Sequence, residues 1–170
     1  MQVEKTATPT TDPWDLDGDL IQDTNYIPGS VFAGDTIAYT VDVSNLGPDT
    51  APAGAVSLGD GRDNPLKLQG TLDLTGAPQF NPSCVVGPDN PPQFNKSFTC
   101  NNQGGEFDPN GASATASIGY TAEVLTTTPA GTLVCNSATV TVNPFGADTT
   151  LANNEYEICN TVVTASDLTV

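Results

Sequence analysis

Thr36-Ile37-Ala38-Tyr39-Thr40-Val41-Asp42-Val43-Ser44 alternates without a break. Ile37, Tyr39, Val41 and Val43 lie on one side of an extended chain, and Thr40, Asp42 and Ser44 lie on the other. Successive side chains of a strand point to opposite faces, so this pattern predicts a strand with one face on a core and the other in water. Asn45-Leu46-Gly47-Pro48 then turns the chain, as such residues do.

Weaker versions of the same signal recur on both sides. A short first strand is expected over Val3 to Ala7, ending at Pro9. Residues 12–30 read as an acidic insertion containing Gly and Pro. Further strands are expected near Ala55–Leu58, Leu66–Leu74, Phe80–Val86 and Phe94–Thr99, and over Ser113–Leu125, Leu133–Val142 and Glu155–Thr164. Gly104-Gly105, Pro109-Asn110-Gly111, Pro129-Ala130-Gly131 and Asn153-Asn154 punctuate them. No stretch shows a convincing helical period. Short strands at this spacing indicate an all-β chain folded as a β-sandwich.

Composition narrows the function. Hydrophobic residues make up 37% of the 170 residues, which suits the thin core between two sheets. Net charge is -16, with only four Lys plus Arg, so no basic patch exists to bind phosphate backbones and nucleic acid is excluded as a partner. There is no His, which removes the commonest general base and transition-metal ligand. No apolar run approaches the length of a membrane span, so direct membrane insertion is not expected. Met1 is followed at once by strand-like sequence, so a secreted origin implies a mature fragment.

Cys84, Cys100, Cys135 and Cys159 form no Cys-x-x-Cys pair, which disfavours a zinc ribbon. Their even number points to disulfides formed in an oxidising compartment, with the pairing left open by sequence order.

The sharpest local motif is Asp15-Leu16-Asp17-Gly18-Asp19-Leu20-Ile21-Gln22-Asp23. A hard cation takes six to eight oxygen ligands, roughly, and alternating Asp on a tight loop converges them. Asp15, Asp17, Asp19 and Asp23, with the carbonyl of Ile21, are the expected Ca2+ ligands. Tyr26 stands where an EF-hand places its bidentate Glu, so Asp12, water or another loop must complete the shell. The alternative is a solvated acidic loop. Trp14 beside it is expected to anchor the loop onto the sandwich or to stack on a sugar. Asn95-Lys96-Ser97 is a glycosylation sequon, with Asn95 as the acceptor or a chance match.

Several pieces in order resemble a known family. They are Val3-Glu4-Lys5, the run from Gly34 to Pro48, Phe98-Thr99-Cys100, Asn136-Ser137-Ala138-Thr139-Val140, and Asp148 followed by Asn153-Asn154. Together they resemble the repeat called domain of unknown function 11, found in tandem in bacterial and archaeal surface proteins. The resemblance covers residues 3–165, interrupted by the acidic insertion. It implies an immunoglobulin-like sandwich of about seven to nine strands, with a structural or adhesive role and no catalytic residues. It also implies the pairs Cys84–Cys100 and Cys135–Cys159. Residues 1–165 would then be one domain, and 166–170 the start of a following repeat or a strand lent to a neighbour.

Surface domains of this class sometimes carry an internal isopeptide bond, which needs a buried Lys, an Asn or Asp, and a nearby acid. Lys5 and Asn136 are the candidates, Asn136 sharing parity with Ala138 and Val140. The acid is the difficulty, because Asp42 and Glu123 fall on the polar faces of their strands. The alternative is a buried Asn bonded to backbone groups.

The expected function is therefore a structural module of an extracellular surface protein, stalk or filament, secreted or at the cell surface. Its expected partners are neighbouring copies or repeats of the same protein. The competing reading is an adhesin module that binds carbohydrate or protein through loops 59–65, 87–96 and 101–111. An acid-pair enzyme is disfavoured, since no motif ties two carboxylates to a cleft.

Overall fold

A computed structural model describes residues 1–9, 29–62, 65–87, 89–90, 93–94, 97–143, 148 and 150–163. Among these, one four-stranded sheet runs in the order β1 (Gln2–Pro9), β3 (Thr36–Ser44), β10 (Thr115–Val124), β5 (Leu66–Asp73). A six-stranded sheet runs β2 (Ser30–Phe32), β12 (Glu155–Val163), β11 (Leu133–Val142), β4 (Val56–Arg62), β9 (Ser97–Asn101), β6 (Cys84–Val86). Asp89–Asn90 (β7) and Gln93–Phe94 (β8) pair as a small ribbon. The fold is an immunoglobulin-like β-sandwich.

Strand β3 occupies the residues its alternation predicts, and Ile37, Tyr39, Val41 and Val43 are all buried. Strand β10 pairs with it antiparallel, setting Tyr120 opposite Tyr39 and Ile118 opposite Val41. The facing sheet contributes Leu58, Phe98, Val134, Ala138, Val140 and Val162. Inward-facing residues of both sheets thus close one apolar layer. At one end Phe80 and Phe107 pack tilted, with ring centroids 5.5 Å apart. Two buried asparagines fasten the loops there. Asn45 donates to the carbonyls of Asp49 (2.9 Å) and Phe107 (2.8 Å). Asn102 donates to those of Pro52 and Gly105 (3.0 Å each) and accepts from the Val56 amide (2.8 Å).

Three sequence expectations need correction. Residues 59–62 are not loop: β4 continues to Arg62, pairing with β11 on one side and, through Gly61, with β9 on the other. The strand expected from Phe80 begins only at Cys84, because Pro78–Phe80 is a 3-10 turn and Pro82, which lacks an N–H, follows. The strand expected over Phe94–Thr99 is divided between β8 and β9. Ser30, at the end of the acidic insertion, opens β2, which adds to β12 in parallel.

Candidate functional site

The interior of the sandwich is not wholly apolar. Strand β4 alternates Val56, Leu58, Asp60, Arg62 toward the core, so the parity that buries two aliphatic side chains buries two charges as well. Lys5 shares parity with Val3 on β1 and enters from the opposite sheet. The side chains of Lys5, Asp60 and Arg62 have 0% exposure.

Asp60 is the hub. Its Oδ2 contacts Lys5 Nζ and accepts a hydrogen bond from the Tyr120 hydroxyl at 2.8 Å. Its Oδ1 accepts from Arg62 Nη1 at 2.8 Å. Asn136, on β11 directly opposite Arg62, donates from Nδ2 to the Tyr120 oxygen at 2.7 Å. Asn136 is fully buried, and its Oδ1 has no hydrogen-bond partner among the described residues. Lys5, Asp60, Tyr120 and Asn136 therefore form one connected chain across the two sheets.

Aromatic rings wall this cluster. Lys5 Nζ lies 5.2 Å from the ring centroid of Tyr39 and 5.6 Å from that of Tyr120. The Arg62 guanidinium carbon lies 5.2 Å from Tyr120 and 5.8 Å from Phe98. Ring faces attract cations, which offsets part of the lost hydration. Two cations nevertheless share one carboxylate in a dry interior, and buried ions are costly. Burial lowers the Lys5 ammonium to about 8, against the pull of Asp60 and with a smaller push from Arg62. Burial, then the charge of Asp60, raises the Tyr120 phenol far above its ordinary value, so it remains a proton donor.

Two disulfides lie outside this cluster. Cys84–Cys100 joins β6 to β9, and Cys135–Cys159 joins β11 to β12, each across directly paired positions. These are the pairs that the family resemblance implies. Cys135 precedes Asn136, so neighbouring residues of β11 serve the disulfide on one face and the buried cluster on the other. Glu157 lies near Cys135 and Cys159, but their sulfurs are bonded to each other and offer no thiolate to a metal.

Lys5 and Asn136 thus come together as their parity suggests. Asp42 and Glu123 stay on outer faces, where Glu123 takes a hydrogen bond from Gln69. The acid that sequence reasoning missed is Asp60, and its signal was parity with Val56 and Leu58. Asp15, Asp17, Asp19, Ile21 and Asp23, with Trp14 and Asn95, lie outside the described residues.

No family model matches the chain, and no curated protein matches it. Among solved structures, the N-terminal domain of the Streptococcus gordonii adhesin Sgo0707 superposes over 95% of this chain and 32% of its own, at 10% identity and TM-score 0.51. The T6 backbone pilin of Streptococcus pyogenes matches 96% of this chain and 36% of its own, at 13% identity and TM-score 0.49. The major pilin subunit BcpA of Bacillus cereus matches 94% of this chain and 40% of its own, at 13% identity and TM-score 0.44. The chain spans about a third of the adhesin chain it matches. Likeness at such identity establishes the shared sandwich fold alone.

Proposed function

We propose that this protein is a structural module of an extracellular surface protein, stalk or filament, with a mechanical rather than a catalytic task. One observation carries the reading: the first and last described strands are each fastened to the interior. Strand β12 is covalently bound to β11 through Cys135–Cys159, and β1 is held across the sandwich by the buried Lys5–Asp60 pair. Tension applied along the chain reaches those two strands first, so pinning them resists extension. Disulfides support an oxidising, extracellular setting. The fold shared with a surface adhesin domain agrees with that setting.

Calcium at the Asp15–Asp23 loop belongs to the same reading. Four carboxylates and a backbone carbonyl are a hard oxygen set that suits Ca2+, and a bound cation would stiffen the loop. Neighbouring copies or repeats of the same protein are the natural partners, and strand exchange between them is the contact this reading favours. The family resemblance to tandem surface repeats supports that arrangement. An adhesin role through the end loops is the alternative, but the described aromatic side chains favour the interior. Tyr39, Phe80, Phe98, Phe107 and Tyr120 are buried, while Tyr156 is 41% exposed.

Single-molecule stretching of the full chain, tethered at both ends, tests the mechanical reading. The oxidised protein should resist extension to high force, and reduction should lower that force and lengthen the release. Extension at forces too low to separate from a relaxed coil, together with selective capture on a glycan array, would favour the adhesin reading instead.

A further inference from the structure

The buried cluster holds more than an ion pair. A primary amine, a carboxylic acid and a carboxamide are enclosed together without solvent, and the acid touches the amine directly. The cluster's walls are the rings of Tyr39, Phe98 and Tyr120, and the inward neighbours of Lys5 and Asp60 on their strands include Val3 and Leu58. A polar group in such a place calls for an explanation. Its charge balance supplies one. Two cations face one carboxylate, and Arg62 cannot release a proton, whereas Lys5 can. Transfer of that proton to Asp60 leaves Arg62 as the one charged group and an uncharged, nucleophilic amine.

From this geometry we infer that Lys5 and Asn136 join in an intramolecular isopeptide bond, with Asp60 as the proton-transfer residue. Lys5 Nζ gives a proton to Asp60 and attacks Cγ of Asn136. Protonated Asp60 supplies the hydrogen-bond donor that the buried Asn136 carbonyl lacks, and so stabilises the oxygen as it gains charge. The second proton of the amine passes to the amide nitrogen, the Cγ–Nδ2 bond breaks, and the released ammonia takes the first proton back from Asp60 and leaves as ammonium. One C–N bond forms and one breaks, nothing is oxidised or reduced, and Asp60 ends as it began. Tyr120 is a positioning residue. Its hydroxyl bonds both Asp60 and Asn136, and so orients acid and amide toward each other. Arg62 holds the other oxygen of Asp60. Enclosure excludes water that would compete for the carbonyl. The inference does not depend on where the protein works, since it rests on the cluster alone.

Intact-mass measurement of the folded, purified protein tests it. The expected mass is lower by one ammonia, about 17 Da, after allowance for the two disulfides. Cyclisation of an asparagine to a succinimide loses the same mass, so digestion must also yield a branched peptide linking Lys5 to Asn136. Lys5→Met should show the full mass. Asp60→Asn should keep the Lys5 amine free, readable by acetylation of the unfolded chain. A full-mass wild-type protein with a free Lys5 amine would overturn the bond, and this result needs no variant to fold. A branched peptide that persists in Asp60→Asn would overturn the role of Asp60.

Discussion

Asp60 answers to three donors at once, so its loss should be felt more than that of any single aliphatic neighbour. Asp60→Ala leaves Lys5 and Arg62 as buried cations without a counter-charge. Removing one partner of such a set costs about 3–5 kcal/mol, to be read from urea unfolding. A second expectation concerns pH. Where Asn136→Ala keeps Lys5 an amine, its folded value near 8 lies below the unfolded 10.5. Between those values the unfolded chain holds the extra proton, so the penalty of burying the ammonium is full below the window and fades as pH rises through it. Urea midpoints of Asn136→Ala should therefore climb with pH across that window relative to the double variant Lys5→Met, Asn136→Ala. Equal slopes would show that Lys5 does not titrate as burial requires. Sequence made Lys5 and Asn136 legible through strand parity. Asp60 was hidden because Gly59 and Gly61 flank it, and a Gly-Asp-Gly run reads as a turn until its pairing on both sides is known.

Strands differed in how plainly they announced themselves. Strands β3, β10 and β11 are nine or ten residues long and alternate throughout, so the pattern alone locates them, although β10 spans Thr115–Val124 rather than the expected Ser113–Leu125. Strand β2 has three residues, too few for a period, and exists because β12 offers it an edge. The turn before β6 depends on close packing that no local pattern reports. At Gly104 a Cβ would run into the carbonyl oxygens of Asn81 and Pro78. Gly104→Ala should therefore force the two loops apart and cost about 1–3 kcal/mol, seen as a lower Tm. The last strand supplies its own test. Replacing Cys135 and Cys159 by Ser should cost about 2–4 kcal/mol, and hydrogen exchange should speed up first in Glu155–Val163. Uniform exchange across both sheets would show instead that β12 is held by packing alone.

At the scale of the whole molecule, charge and covalent connection matter most. The chain has four basic residues, and two of them, Lys5 and Arg62, are spent inside. The surface is left almost uniformly acidic, so self-repulsion should be screened by salt and Tm should rise with ionic strength. Calcium should raise Tm further than magnesium at equal ionic strength, and a chelator should remove only the excess. An identical response to both cations would leave the Asp15–Asp23 loop as a solvated face. A different consequence follows from the adjacency of Cys135 and Asn136 on β11. With Lys5 bonded to Asn136, the shortest covalent route through the protein enters at Lys5, crosses to β11, and leaves through Cys159. The loops between Lys5 and Cys135, and between Asn136 and Cys159, then lie off that route as side branches. Such branches can lengthen, shorten or change composition without altering the strength of the cable, which leaves evolution free to decorate it.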